Sequence, residues 1–253
     1  MGKIIAVTNQ KGGVGKTTTA VNLTAALTAA GKRALLCDMD PQGNATSGMG
    51  VDKNSGAPGT YEILIGGAPP VSTVVQTPFG GLLPANKSLS GAGVELVSID
   101  SREFVLKKAL GQLRGEYDYI LIDCPPSLEL LTINSLCAAD TALIPVQCEY
   151  FALEGLSDLI ATVRMIKRGH NPALDIEGVL LTMYDSRTNF SAQVADEIKK
   201  YFGTKVYGVV VPRNVRVSEA PSHGEPVLTY DASSRGALAY RELAREFLVR
   251  NSG

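Results

Sequence analysis

A glycine-rich loop near the amino terminus restricts the possible folds more than any other feature of this sequence. Residues 3–8, KIIAVT, form a short run rich in β-branched side chains and lead into the loop KGGVGKTTT at 11–19. From Lys16 to about Ala30, apolar residues recur at helical spacing, and Gly31 supplies a stop signal. A buried strand, a glycine loop and a helix in succession are typical of α/β proteins that hold phosphate at the start of the helix.

The loop fits the pattern G-x-x-x-x-G-K-[ST] only in part, because Gly12 stands closer to Gly15 than the first glycine of that pattern does, and Lys11 precedes it. Glycines lack a Cβ, so successive backbone N–H groups can turn toward phosphate oxygens. Lys16 is predicted to reach the β- and γ-phosphates of ATP, and the Thr17 hydroxyl to ligate Mg²⁺. Nucleotide contacts are predicted along the whole loop, at Gly12, Gly13, Val14, Gly15, Lys16, Thr17 and Thr18.

Two further segments place carboxylates at the ends of apolar strands. RALLCD at 33–38 leads into Asp38, Asp40 and a turn with proline and glycine, and YILID at 119–123 ends in Asp123. The carboxyl ends of strands face the crevice in which α/β sheets bind ligands. One carboxylate of the first pair could hold a metal-bound water while the other orients the attacking water; the alternative is a solvated turn with a helix-capping aspartate. Asp123 is predicted to help hold magnesium.

The rest of the chain repeats this alternation of strands and helices. TALIPV, GVLLTM and VYGVVVP are further strand candidates, and LLPA and VELVS near 82–98 are weaker ones. Helices are predicted near 102–114, 128–138, 153–168, 189–202 and 234–250. Strands that are apolar throughout are covered on both faces of their sheet. The sequence therefore predicts an α/β fold with a doubly wound, mostly parallel sheet and helices on both faces.

We predict one domain over residues 1–253. Hydrophobic residues make up 45% of the chain and charged residues 19%, which excludes a disordered protein. The loosest part, residues 48–93, is rich in Gly, Pro and Ser and is predicted to be an irregular insertion rather than a linker.

Composition also points to a compartment. No run reaches the roughly 18 uncharged apolar residues of a membrane span, and the opening apolar segment is too short for the core of a signal peptide. No pair of cysteines has the close spacing of a zinc or redox site, so all four are predicted to be reduced, buried fillers. They are Cys37, Cys124, Cys137 and Cys148. We therefore expect a cytoplasmic protein with no membrane partner.

Charge is distributed unevenly along a chain whose formal net charge is only −1. Residues 199–253 hold nine Lys and Arg against five acids, a balance of +4, which leaves −5 for residues 1–198. A basic patch of this kind suffices for binding to DNA phosphates, and no helix-turn-helix or aromatic ladder suggests that base sequence is read. The alternative is a solvated surface whose cations pair with Glu242, Glu246 and their neighbours.

Six motifs together resemble one family. KGGVGKTTT, DMDPQGNATSG, LIDCPPS, PVQCEYFALEGL, LLTMYDSRT and VPRNVRVSEAPSHG are similar to those of the ParA/Soj partitioning ATPases of the deviant Walker A, or MinD-like, superfamily, over about residues 2–248. The resemblance implies a P-loop NTPase fold and a Mg²⁺-dependent ATPase that forms an ATP-sandwich homodimer. It also implies that this dimer binds DNA non-specifically on the nucleoid. Hydrolysis would be stimulated by a ParB/Spo0J-type centromere-binding partner during chromosome or plasmid segregation.

The resemblance also assigns roles at the phosphates. Lys11 matches the signature lysine that crosses to the partner subunit's phosphates, and Lys16 matches the Walker A lysine. Thr17 matches the magnesium ligand. Asp40 matches the residue that positions the lytic water, beside the metal, and Asp123 matches the Walker B acid.

Four more residues are assigned by the same resemblance. Pro212 and Asn214 match the segment that lies against adenine, and Arg187 and Arg216 match positions that contact the DNA backbone.

Two other functions within the superfamily fit this sequence less well. A membrane-cycling regulator of the MinD kind would need a basic amphipathic tail, but the final residues read as a core-facing helix with only six residues after Phe247. A metabolic or metal-cluster carrier would usually present a Cys-x-x-Cys pair, and none exists here.

Overall fold

Eight strands form one sheet in the computed structural model, which describes residues 1–149, 152–185 and 189–252. The strands are β1 Lys3–Val7, β2 Ala34–Asp38, β3 Val75–Thr77, β4 Gly80–Leu83, β5 Tyr119–Asp123, β6 Thr141–Gln147, β7 Asp175–Tyr184 and β8 Val206–Pro212. Their order across the sheet is β3-β4-β2-β5-β1-β6-β7-β8. β3 pairs antiparallel with β4, and the other neighbouring pairs are parallel. The predicted fold class is confirmed.

Helices connect the strands. They are α1 Lys16–Ala29, α2 Asn44–Gly48, α3 Thr60–Leu64, α4 Pro70–Thr73, α5 Leu89–Glu95, α6 Val105–Leu113, α7 Leu130–Ala138, α8 Ala152–Gly169, α9 Asn189–Phe202, α10 Val215–Glu219, α11 Val227–Tyr230 and α12 Arg235–Arg250. The long helices predicted from apolar spacing are α1, α6, α7, α8, α9 and α12, and each lies within about two residues of its predicted bounds, apart from the amino end of α6. There the predicted first residues, Arg102–Phe104, form a 3₁₀ turn instead.

Both faces of the sheet are buried, which explains why its strands are apolar throughout. In β1, Ile4 and Ala6 pack on one face, in a core that includes residues of α6, α7, α8 and α9. Ile5 and Val7 pack on the other face, against α1 and α12. Because successive side chains of a strand point to opposite faces, a strand between two helical layers needs an apolar residue at every position.

Residues 48–93 are more regular than the irregular insertion predicted for them. They contain α3, α4, the start of α5 and strands β3 and β4, and β4 extends the parallel ladder beside β2. The weak strand candidate LLPA is confirmed at its two leucines, which end β4, and two apolar residues are too few to show a period. A Cβ on Gly81 would lie 2.8 Å from the Tyr117 hydroxyl oxygen. The glycine at position 81 therefore lets this strand pack closely against Tyr117, a feature that a hydrophobic pattern does not reveal.

The strand suggested by VELVS is wrong. These residues form the end of α5 and a 3₁₀ turn at Leu96–Ser98. Leu89, Ala92 and Leu96 are buried at helical spacing, whereas Val94 is 77% exposed. Taken alone, VELVS has the apolar content of a strand, but together with the apolar residues before it the segment has helical spacing.

Two expectations from composition are also met. The four cysteines are free and buried. Among the described residues, none of the helices combines the length and the apolar character of a membrane span.

Candidate nucleotide-binding site

The three central strands bring the predicted site together. Val7 of β1 and Asp38 of β2 each stand opposite Asp123 of β5 in parallel ladders, so the carboxyl ends of these strands are aligned. The glycine loop leaves β1 at this edge, and Asp40 lies two residues beyond the end of β2. The loop and the carboxylates predicted from separate motifs are therefore at one edge of the sheet.

The glycine loop has the conformation of an anion cradle. Gly13 and Gly15 have φ values of 75° and 88°, in the left-handed region that side chains disfavour. Gly15 is the N-cap of α1, and no described side chain caps the first-turn N–H groups of that helix. The first turn also contains no acidic residue. Free N–H groups and the positive end of a helix together favour a bound phosphate.

The end of β7 supports this loop from behind. The Thr182 hydroxyl donates a hydrogen bond to the Val14 carbonyl oxygen at 2.8 Å, and both residues are buried. The next residue, Met183, has a φ of 50°, which is uncommon for a residue with a side chain. Sequence reasoning missed both residues, although the LLTMYDSRT motif contains them.

Lys16 is a nearly buried cation inside the loop, only 6% exposed. Its Nζ donates to the Lys11 carbonyl oxygen at 3.1 Å, which folds the side chain back over the loop. Burial lowers the pKa of Lys16, and the negative charges of Asp123 and Asp40 act against that shift. This placement suits a lysine that neutralises phosphate oxygens.

Asp123 is fully buried, and neither of its carboxylate oxygens has a well-formed hydrogen bond to any described residue. Burial and the neighbouring Asp38 raise its pKa well above the usual range, while the nearby Thr17 hydroxyl acts in the opposite direction. A buried carboxylate without partners is rare unless a ligand completes it. Mg²⁺ prefers oxygen ligands and keeps part of its water shell, so Asp123 and Thr17 fit a magnesium site.

The structure distinguishes the two carboxylates that follow β2. Asp38 is fully buried and accepts three hydrogen bonds, from the Thr46 backbone and hydroxyl at 2.8 and 2.7 Å and from the Asp40 backbone at 3.1 Å. Burial raises the pKa of Asp38 to about 6, and the Thr46 hydrogen bonds oppose the shift. Asp40 uses its Oδ1 in a turn, accepting from the Gln42 backbone at 2.9 Å. Because Asp38 is fully buried and already accepts three hydrogen bonds from its own chain, it suits a structural role, which favours Asp40 for water and metal.

Lys11 is paired within its own chain. Its Nζ lies 2.8 Å from Oε2 of Glu149, two residues beyond the end of β6, and both side chains are partly exposed. The Lys11 backbone N–H donates to the Asn9 side chain at 3.0 Å. Sequence reasoning missed Glu149, although the PVQCEYFALEGL motif contains it.

Pro212 and Asn214 line a cavity that adjoins the loop and shares Gly15 and Thr18 with it. The structure therefore brings the predicted adenine segment beside the predicted phosphate site. Asn214 caps α10, because its Oδ1 accepts from the backbone N–H of Val217 at 3.3 Å. That bond uses the amide oxygen and leaves the two N–H donors of the amide for a ligand.

Tyr240 of α12 also lines this cavity. The sequence predicts only that Tyr240 lies in the core. It is 1% exposed, and its hydroxyl lies 3.4 Å from the Thr19 hydroxyl in α1. Burial raises the pKa of Tyr240 to about 12, so it remains a neutral phenol at physiological pH. Its periodic position in the last helix indicated burial but gave no sign of a cavity.

Of the two arginines predicted to contact DNA, the structure describes Arg216. Arg187 lies outside the described residues. Arg216 is exposed at the surface of α10, where it pairs with Glu219 at 2.9 Å and with Asp231 at 3.4 Å. Five of the nine cations of 199–253 form ion pairs within the described residues, namely Lys200, Lys205, Arg216, Arg245 and Arg250. Much of the basic excess is thus balanced locally, as the alternative interpretation of this charge expected.

The segment that follows Asp40 touches the segment that follows Arg216. Gly50 and Gly224 have φ values of 79° and 67°. A Cβ on Gly224 would lie 3.1 Å from the Gly50 Cα, and one on Gly50 would lie 3.0 Å from the Gly224 carbonyl oxygen. The two backbones are therefore in direct contact, with no side chain between them.

A mostly parallel sheet with this loop, a buried lysine and a buried Asp123 at one edge defines a P-loop nucleotide-binding protein. A family model described as an AAA domain matches residues 2–176. The chain is 58% identical over 248 residues to the sporulation initiation inhibitor protein Soj of Bacillus subtilis, a match that covers 97% of this chain and 98% of that protein. It is 53% identical over 254 residues to the chromosome partitioning protein ParA of Myxococcus xanthus, covering 100% and 90%. The chain belongs to the ParA/Soj family of deviant Walker A ATPases, as its motifs predicted.

A solved structure agrees over the whole chain. Cobyrinic acid a,c-diamide synthase from Mycobacterium smegmatis with bound ADP and magnesium superposes with a TM-score of 0.88 at 39% identity. The match covers 100% of this chain and 96% of that one. The sheet and its connections are therefore those of a nucleotide-binding relative.

Proposed function

We propose that residues 1–253 act as a single P-loop ATPase domain that serves chromosome or plasmid partition. ATP binding would drive formation of a sandwich homodimer that binds DNA non-specifically, and hydrolysis, stimulated by a ParB/Spo0J-type partner, would reset it. The observation that carries the ATPase part is the convergence on one loop of Lys16 and of Asp123, whose carboxylate has no well-formed hydrogen bond within the described part of the chain. The relative named as a chromosome partitioning protein supports the part in partition. Such a protein would act in the cytoplasm, on the nucleoid.

ATP and Mg²⁺ are the cofactors of this proposal, supported by the relative that binds ADP and magnesium. When bound, magnesium supplies positive charge to the β- and γ-phosphates, and Thr17, Asp40 and Asp123 would hold it. The loop N–H groups and Lys16 bind the same phosphates from the protein side. Asp40 accepts a hydrogen bond from the attacking water and orients it in line with the γ-phosphate. Pro212 and Asn214 bound the cavity proposed for adenine.

Lys11 is proposed to act on the partner subunit's phosphates. To do so, its ammonium must leave Glu149, with which it pairs at 2.8 Å in a single chain. The pair is partly exposed, and such pairs contribute only about 0.2–1 kcal/mol. A phosphate cluster with a higher charge therefore competes easily with Glu149 for this lysine.

Replacing Lys11 by alanine is expected to leave ATP affinity within about threefold of wild type but to weaken ATP-dependent dimerisation about tenfold or more, since a charged contact to phosphate contributes roughly 1.5–3 kcal/mol. Sedimentation with ATP and Mg²⁺ across a protein dilution series measures the dimer constant. Lys32→Ala is the matched control, because Lys32 is an exposed lysine just beyond the other end of α1. Undiminished dimerisation of Lys11→Ala would show that the trans contact is absent.

DNA binding is proposed to use the surface that carries Arg216. In a single chain this guanidinium is held by Glu219 and Asp231, so binding to DNA requires an exchange of carboxylates for phosphates. A homodimer presents each cation twice, which doubles the phosphate contacts available to one duplex. These contacts are to the DNA backbone, so we expect no dependence on base sequence.

Arg216→Ala is expected to lower DNA affinity in ATP and to reduce the slope of log K against log [salt] by roughly 0.9 for each lost phosphate contact, with ATP affinity unchanged. The measurement is a salt titration of binding to two unrelated duplexes, in ATP and in ADP. Arg33→Ala is the matched control, since Arg33 is also an exposed arginine in an ion pair but lies at the opposite edge of the sheet. Equal binding in ADP, or an unchanged slope, argues against the proposed DNA switch.

A further inference from the structure

Thr46, in the short helix after Asp40, joins three parts of the site through one buried hydroxyl. The Thr46 Oγ1 donates to Asp38 Oδ2 at 2.7 Å and accepts from the backbone N–H of Ala85 at 2.9 Å. Its own backbone N–H donates to the same Asp38 oxygen at 2.8 Å. Thr46 and Asp38 are both fully buried. The hydroxyl is therefore used both as donor and as acceptor, with no water needed to complete it.

This hydroxyl is the centre of a continuous chain of hydrogen bonds that ends at Asp40. From Ala85, just past β4, the chain runs through Thr46 to Asp38, whose Oδ1 accepts the Asp40 backbone N–H at 3.1 Å. A second contact supports the same turn, because a Cβ on Gly43 would lie 2.6 Å from the Ala85 carbonyl oxygen. The turn that carries Asp40 is thus fastened to the sheet on two sides, by β2 and by the end of β4.

The turn that carries Asp40 needs these contacts to hold its position. α2 is only five residues long, and a helix of that length is not stable by itself. Among the described residues, the Asp40 side chain bonds the neighbouring Gln42 backbone alone, which fixes the turn internally but does not place it relative to the phosphates. A displacement of about 1 Å in a group that orients a reactant lowers the rate by about 10²-fold.

We infer that Thr46 is a positioning residue for hydrolysis: its hydroxyl, through Asp38 and Ala85, holds Asp40 where it can orient the attacking water. The inference rests on the proposed function, since it takes the role of Asp40 from there. It assigns Thr46 no contact with the nucleotide. Loss of the hydroxyl should therefore slow turnover while leaving the affinity for ATP unchanged.

The test compares Thr46→Val, which keeps the shape but removes the hydroxyl, with Thr46→Ser, which restores it. Hydrolysis of ATP with Mg²⁺ is measured for kcat and KM, and binding by titration with a fluorescent ATP analogue. Thr46→Val is expected to lower kcat about tenfold or more with KM and analogue affinity within about twofold, and Thr46→Ser to recover most of kcat. Thr24→Val is the matched control, because the buried Thr24 hydroxyl bonds only within α1, to the Ala20 carbonyl at 2.7 Å.

A melting curve for each variant shows which of them fold, and Thr46→Ala carries the same expectation where the valine variant does not fold. Wild-type kcat in a folded variant without the hydroxyl overturns the inference. A loss of both kcat and analogue affinity also overturns the inference, and so does a failure of Thr46→Ser to recover kcat, because either result indicates general damage to the structure. Asp40→Ala in the same assay separates the two proposals. If Asp40→Ala stops hydrolysis and Thr46→Val does not, only the positioning role fails. If Asp40→Ala hydrolyses normally, the proposed role of Asp40 fails, and the positioning role of Thr46 fails with it.

Discussion

Replacing Lys16 by alanine is expected to lower ATP affinity about 100-fold or more. The ammonium is nearly buried inside the loop, and hydrogen bonds to charged groups contribute about 1.5–3 kcal/mol each, here to both the β- and the γ-phosphate. No other lysine is buried among the described residues, so none can take its place in the loop. Equilibrium titration with a fluorescent ATP analogue measures the loss.

Lys32→Ala again serves as the control, since it removes an equal charge from the far side of the same helix and should bind the analogue as wild type does. The Lys16 variant must also be shown to fold, for example by its circular dichroism spectrum and melting temperature. Wild-type affinity in a folded Lys16→Ala protein would remove the assignment of the phosphate loop, and with it the whole proposed function.

Replacing Asp40 by alanine is expected to leave ATP binding intact and to slow hydrolysis by about 10²-fold or more, the usual contribution of a side chain that orients or activates the attacking group. Because the loop and Lys16 are untouched, the protein should accumulate as an ATP-bound dimer. Sedimentation with ATP and Mg²⁺ and a hydrolysis assay test both parts.

The chain offers a close control for this variant. The exposed Asp52 makes the same local hydrogen bond, from the backbone N–H two residues later at 2.9 Å, but lies outside the site. Asp52→Ala therefore loses an equivalent turn and should hydrolyse ATP normally. A monomeric Asp40→Ala protein in ATP, or one with unchanged hydrolysis, would contradict the role.

The parts of the site that the sequence predicts are those encoded locally. The loop from Gly12 to Thr18 combines left-handed glycines with a helix start, and both signals lie within a few residues of each other. Asp123 follows an apolar strand directly, so its place at the carboxyl edge is predictable from the strand alone. The fold class follows equally well, because uninterrupted apolar strands require two covering layers.

The remaining features depend on contacts between distant segments. The preference for Asp40 over Asp38 as the water-orienting residue rests on Thr46, whose hydroxyl and backbone bond Asp38, and no pattern around DMD contains that information. The pairing of Lys11 with Glu149 joins residues 138 positions apart. Strand β4 has so few apolar residues that LLPA is only a weak strand candidate, yet the segment just past it supplies the Ala85 backbone that bonds Thr46. The excess of positive charge in 199–253 is real, but how much of it is paired could not be predicted from counts.

The contact between Gly50 and Gly224 has a mechanical consequence. A side chain at such a contact could change rotamer and absorb a movement, but here the two backbones come so close that a Cβ on either glycine would lie about 3 Å from the other segment. A movement of the segment after α2 toward the 220–224 turn therefore acts on that turn directly, without an intervening side chain. That turn directly follows α10 in the chain, so a displacement of the turn reaches Glu219, whose carboxylate pairs with Arg216. Two glycines without side chains thus directly link the segment that follows the proposed water-orienting Asp40 to the surface proposed to hold DNA.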